Sequence, residues 1–116
     1  ETKEEMGYGK TNTAKIIEVL GSVIQNYAAY QATTYRGGNY DDWYLPSKHE
    51  LNKMYTNRGK INSTLTTNGG RPFSDDYYWS SSEKGTDNAC RHNLVDNGQG
   101  QVLKSNTYLV RPVRSF

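Results

Sequence analysis

Cysteine occurs once in the 116 residues, at Cys90, so no internal disulfide can form. A cysteine-rich zinc site, which needs three or four nitrogen or sulfur ligands at fixed spacing, is excluded for the same reason. No apolar run approaches the roughly 20 residues of a membrane-spanning helix, and membrane insertion is not expected. The opening Glu-Thr-Lys-Glu-Glu lacks an apolar signal stretch and reads as the start of a mature or excised piece. A charge excess is missing too: 14 basic residues stand against 12 acidic ones, with no Lys/Arg run longer than a pair. Counterion release on a phosphate backbone then has little to work with, and nucleic acid is not expected as a partner. Gly7-Tyr8-Gly9 precedes a helix without the rest of a dinucleotide fingerprint, so no cofactor is implied.

Hydrophobic residues reach only 34%, and mean hydropathy is -0.92. Yet there are 10 Tyr, 2 Trp and 2 Phe, so amphipathic rings must supply much of a small core. The length suits one domain, 1–116, with a helical half over about 10–58 and a strand-rich half over about 77–116. In the first half Ile16, Ile17, Leu20, Val23, Ile24 and Tyr27 recur at helical spacing. Asn12 or Thr13 is the expected cap, Gly21-Ser22 a candidate break, and Arg36-Gly37-Gly38-Asn39 the stop. Ser47-Lys48-His49-Glu50 is a capping box, starting a helix with Leu51, Met54 and Tyr55 on one face. The span from Asn57 to Ser74, rich in Gly, Asn, Thr and Ser, reads as a long exposed loop. The last third turns to short strand-like runs: Tyr77 to Ser82, Ala89 to Val95, Gly100 to Lys104 and Tyr108 to Arg114. Helices first and strands second is an α+β order.

Three segments carry the strongest signal: Gly38-Asn39-Tyr40-Asp41-Asp42-Trp43-Tyr44-Leu45-Pro46-Ser47-Lys48-His49-Glu50-Leu51, Tyr78-Trp79-Ser80-Ser81-Ser82-Glu83, and Val110-Arg111-Pro112-Val113-Arg114-Ser115-Phe116. Together they resemble the Lcl C-terminal domain family of bacterial and phage proteins, similar in fold to the formylglycine-generating-enzyme branch of C-type-lectin folds. The resemblance implies helices packed on small twisted antiparallel sheets, with Trp-Ser-Ser-Ser in the core, and no established chemistry. The second and third segments also resemble variable proteins of diversity-generating retroelements, whose C-terminal surface residues are mutagenised at adenines. Cys90 and Leu94 stand where the family usually has Trp and Phe.

Asp41 and Asp42 suit calcium or acid-pair chemistry, but equally a loop that caps helices and pairs with Arg111 or Arg114, which is the preferred reading. His49 and His92 sit in no metal or nucleophile spacing and are read as helix-surface and strand-surface residues. Cys90 is read as a small buried hydrophobe, since the resembling oxidases use two cysteines. If Cys90 and Leu94 point inward, strand alternation turns Arg91, Asn93 and Val95 outward. Gln99, Gln101, Leu103 and Ser105 are exposed candidates across the Asp96-Asn97-Gly98 turn, with Lys84, Thr86 and Asp87 in the loop before the strand. Tyr77 and Tyr108 complete a candidate surface of mixed charge, amide, hydroxyl and ring groups, expected to bind a protein or glycan on a cell surface without catalysis. The rival reading is a structural end-domain that self-associates as a homo-oligomer. A cell-surface, secreted or virion-associated setting is the expectation that accompanies both.

Overall fold

The computed structural model describes residues 2–20, 27–74, 76–84, 88–104 and 106–115. Helices precede strands: α1 (Gly9–Leu20), α2 (Ala28–Thr34), a 3-10 turn at Gly37–Asn39, α3 (Lys48–Thr56) and α4 (Arg58–Thr67), then β1 (Tyr77–Lys84), β2 (Asn88–Asn93) and β3 (Gln99–Leu103). The fold class is α+β, as the order of signals predicts. The proposed break at Gly21-Ser22, with Val23 and Ile24, lies outside the described residues.

α3 forms as its capping box dictates. Ser47 Oγ accepts from the Glu50 amide, and the Glu50 carboxylate accepts the Ser47 amide at 2.8 Å. α1 differs from expectation, starting at Gly9, so Asn12 and Thr13 lie inside it and are buried. Their polar groups are spent on tertiary bonds instead: the Thr13 hydroxyl accepts the Leu45 amide at 3.0 Å, and Asn12 binds Lys3 and Ser81. The expected loop after Asn57 is in large part a helix. Ile61 and Leu65 sit four residues apart on one face of α4, Ile61 packs toward Leu51 and Phe73, and Asn62 Oδ1 accepts the Phe73 amide at 2.9 Å. Gly69, at φ 77°, ends α4 in a Schellman motif: Gly69 N–H reaches Thr66 O, and Gly70 N–H reaches Leu65 O at 2.7 Å.

The three strands form one antiparallel sheet in the order β1-β2-β3. Tyr77 faces Asn93 and Trp79 faces Arg91, then an irregularity between Trp79 and Glu83 shifts the register. The fourth expected strand is not one. Leu109 makes a parallel bridge to Tyr78 and Val113 an antiparallel bridge to Tyr44, while Pro112, lacking an N–H, interrupts any ladder. One sheet face buries Trp79 and Ala89 against Ala29, Ala32 and Leu45, with Ile16, Ile17 and Val102 packed around them. The other buries Tyr78 against Leu51, Phe73 and Leu94 beneath α3.

The Trp-Ser-Ser-Ser segment is core, as the resemblance implies: Ser80, Ser81 and Ser82 are all buried. Their polarity is tolerated because partners surround them. Ser80 Oγ donates to Cys90 O, the Ser81 amide donates to Pro46 O, and Ser82 Oγ donates to Lys3 O while accepting the Lys48 amide. The Thr2 hydroxyl donates to Ser81 O and accepts the Glu83 amide at 2.7 Å. The irregular stretch of β1 therefore ties residues 2–3, α1, the Pro46 segment and the start of α3 into one knot.

Candidate functional site

The structure divides the expected binding residues into separate groups. Tyr77, Arg91 and Tyr108 come together on the α1–α2 face of the sheet. The Arg91 guanidinium lies 3.8 Å from the Tyr77 ring centre and 5.1 Å from that of Tyr108, and its Nη1 donates to the Tyr108 hydroxyl. Tyr108 meets Trp79 edge-on at 4.9 Å between ring centres and Tyr77 at 5.8 Å, so a buried core ring sets its position. Arg91 pairs across β2–β3 with Gly100, whose missing side chain leaves open space on the same face.

Gln99, Gln101 and Leu103 form a second group. They are exposed on β3, the outer strand of the sheet, and alternation points them away from the Arg91 face. Val95 and Asp96 are exposed in the turn before β3. Lys84 stands apart, paired with Glu4 at 2.7 Å; that bond, with Lys48 and His49 nearby, holds the Glu4 carboxyl below its usual range against a smaller effect of burial. Thr86, Asp87 and Ser105 lie outside the described residues.

Asn93 corrects the outward assignment, being buried rather than displayed. Alternation failed there because the chain leaves the strand: the Asn93 side-chain oxygen accepts the Val95 and Asp96 amides at 2.8 and 3.1 Å, folding the turn over itself. His92, read as a strand-surface residue, is 1% exposed. Its Nε2 lies 2.8 Å from Asn97 Oδ1, its ring tilts over Tyr55 at 5.8 Å, and its Nδ1 is buried without a partner. Desolvation lowers the His92 pKa, helped by nearby Lys48 and only partly opposed by the Asn97 bond. The unfolded chain then takes up the proton more readily than the folded one. Stability is full above about pH 6.5, the ordinary histidine value, and falls as pH drops through that value toward the lower folded one. Chemical denaturation between pH 7.5 and 5 is expected to show that decline, flattened in His92→Gln; a wild-type slope retained in the variant would assign it elsewhere.

Cys90 is buried as expected, and burial pushes its thiol pKa up. Asp42 takes the structural role preferred for it: Arg114 forks onto its two oxygens at 2.7 and 3.1 Å while stacking on Tyr40 at 3.6 Å. The Arg114 hydrogen bond holds the Asp42 carboxyl below its ordinary value. Among the described residues no three His, Cys, Asp or Glu side chains converge as a metal site.

Sequence reasoning missed a cleft. About 490 Å³ opens between α1–α2 and the sheet, walled by Ile16, Tyr27, Trp79, Tyr108 and Val110, with the Glu83–Lys104 ion pair among its lining residues. Ile16, Tyr27, Trp79 and Val110 carried core or helix-face signals and Tyr108 a surface one, and a periodicity says which way a side chain points without saying that two faces stop short of meeting.

The model of the family described as the Lcl C-terminal domain matches residues 8–114. No curated protein matches the chain.

Proposed function

The chain belongs to the Lcl C-terminal domain family, and from that premise we propose that it is a non-catalytic ligand-binding and display domain of C-type-lectin-like type. The ligand is a protein or glycan on a cell surface, met along the β2–β3 edge, which carries the Tyr77–Arg91–Tyr108 patch on one face and Gln99, Gln101 and Leu103 on the other. The observation that carries this reading is the meeting of Tyr77, Arg91 and Tyr108, residues far apart in sequence, in one ring-and-guanidinium patch anchored on Trp79. Aromatic and arginine side chains combine large contact area with low ordering cost, which is why binding surfaces favour them. A non-catalytic role is supported by the burial of Cys90, whose raised pKa disfavours the thiolate, and of His92, which is committed to its turn.

Gln99, Gln101 and Leu103 project from an outer strand whose backbone the scaffold already fixes, and a scaffold of that kind suits retroelement diversification. Sequencing the gene's surroundings tests this: a reverse transcriptase and a template repeat matching the codons for 77–116 except at adenines supports it. For binding itself, a glycan and surface-protein screen is expected to lose its hits when Arg91, Gln101 and Leu103 are together replaced by Ala. Hits that survive at full affinity would overturn this surface as the contact.

Self-association is the second reading, favoured by Leu103 at 55% and Val95 at 42% exposure beside the outer strand. Light scattering that finds a strict monomer at high concentration would remove it.

A further inference from the structure

Arg91 differs from the other arginines whose contacts are described. Arg36, Arg58 and Arg111 donate to backbone carbonyls, and Arg114 forks onto Asp42. Arg91 is half-buried, and no carboxylate among the described residues pairs with it. Its one side-chain acceptor there is the neutral Tyr108 hydroxyl, and its buried Nε–H has no partner. A cation drawn partly out of water normally brings a counter-charge, because its solvation is otherwise lost without return.

The guanidinium is also fixed in place before any ligand arrives. Tyr77 covers one face at 3.8 Å and Tyr108 holds Nη1, so little freedom remains to be lost on binding. Beside it on the same face a Cβ at Gly100 would meet nothing within 4 Å, so the approach is open. With Nε–H buried and one Nη1 hydrogen on Tyr108, the Nη2 end of the fork, covered on one face by the Tyr77 ring, is what remains to meet an acceptor and bears one positive charge. A carboxylate matches it in geometry and in charge, one for one; phosphate or sulfate fits an arginine fork as well but brings up to two charges where a single cation stands.

We propose that Arg91, framed by Tyr77 and Tyr108 beside Gly100, is a carboxylate-binding site that takes an Asp, Glu or C-terminal carboxylate of a protein partner. This rests on the ligand-binding reading above and gives it a chemistry. Tyr77 and Tyr108 position the fork and supply ring contact to whatever carries the carboxylate, and Gly100 keeps the entry clear.

The test is a nuclear magnetic resonance titration of the whole chain with N-acetylglutamate amide, following the Arg91 Nε–H signal. N-acetylglutamine amide, glucuronate and inorganic sulfate serve as comparison probes. The expected result is saturable movement of that signal by the glutamate probe with Kd on the order of millimolar, as suits one charge-assisted contact. R91K, which keeps the charge and loses the fork and is followed by the Gly100 backbone amide in place of the missing side-chain signal, is expected to weaken it by about tenfold or more. Gly100→Val is expected to block it while leaving thermal unfolding near the parent's, since a β-branched residue suits a strand. An Arg91 signal unmoved by the glutamate probe, equal binding in R91K, or tighter binding of glucuronate or sulfate each overturns the proposal. If it fails while the partner screen still loses its hits in the triple Ala variant, the ligand-binding reading stands and only the carboxylate assignment falls.

Discussion

Asn12→Leu is expected to destabilise the fold by about 3 kcal/mol, because it takes the partners from the buried Ser81 hydroxyl and from two part-buried Lys3 backbone groups at once, and a buried group left unpaired costs about 1–3 kcal/mol. The Asn12 amide is 1% exposed. Its oxygen accepts the Lys3 amide at 3.1 Å, and its nitrogen donates to Lys3 O at 2.6 Å and to Ser81 Oγ at 3.3 Å. Leucine keeps the branching of the side chain, is somewhat bulkier and supplies none of these bonds, so residues 2–3 should also detach from the β1 serines. Asn12→Asp separates bonding from packing. It keeps the acceptor, loses the donor and buries a carboxylate, whose folded pKa must then rise above its unfolded value of about 3.9. With the folded state holding the proton more tightly, this variant should gain stability relative to the parent as pH falls toward 4, opposite in sign to the His92 effect. Urea unfolding of both variants at pH 7 and pH 4.5 reads the outcome. A loss under 1 kcal/mol for Asn12→Leu would mean that the knot is not holding the amino-terminal residues.

The same residue shows where sequence reading stops. Asn followed by Thr before an apolar-periodic run is what a helix cap looks like, yet Asn12 is more valuable inside α1, where three acceptor and donor sites from distant segments converge on it. Nothing local announces this; the cue is the Ser80-Ser81-Ser82 run some 70 residues later, which needs buried partners it cannot supply itself. α4 was legible in principle. Ile61 and Leu65 stand four apart and Asn68-Gly69-Gly70 is a helix-ending signature, but two apolar residues among Gly, Asn, Ser and Thr gave the periodicity too little weight against composition. The capping box at Ser47, the three strands and the Asp42–Arg114 pairing were legible because each depends on neighbours in sequence or on a short choice of partners.

The candidate site was legible as residues and not as a place. The β2–β3 register, which pairs Arg91 with Gly100 and Cys90 with Gln101, puts Arg91 on one face and Gln101 on the other, so the one surface read from the sequence is two. What unites Tyr77, Arg91 and Tyr108 is the β1–β2 register and the single bridge at Leu109, neither of which a local pattern fixes. Asn93 went wrong at the strand's last residue, where the pleat gives way to turn geometry and an Asn side chain finds backbone amides.

Trp79→Ala is expected to cost about 3–5 kcal/mol, the range for deleting a buried aromatic side chain with partial collapse of the cavity. Trp79 is 8% exposed and packs with Ala29, Ala32, Leu45 and Ala89, so α2 and the sheet lose their shared contact together. The loss should reach the site as well, because the indole is what Tyr108 rests on and Tyr108 is what holds Arg91 Nη1. Trp79→Phe keeps the chain folded for that question. The smaller ring fills less volume and withdraws from the Tyr108 edge, so stability should fall less than in Trp79→Ala while carboxylate binding at Arg91 weakens, although residue 79 touches no ligand. A thermodynamic cycle between Trp79→Phe and Tyr108→Phe decides whether the chain of contacts is real: with Tyr108 already unable to accept from Arg91, the Trp79 change should add nothing further to the binding loss. Additive losses would mean that Trp79 acts on the site by another route, through the strand backbone it shares with Tyr77.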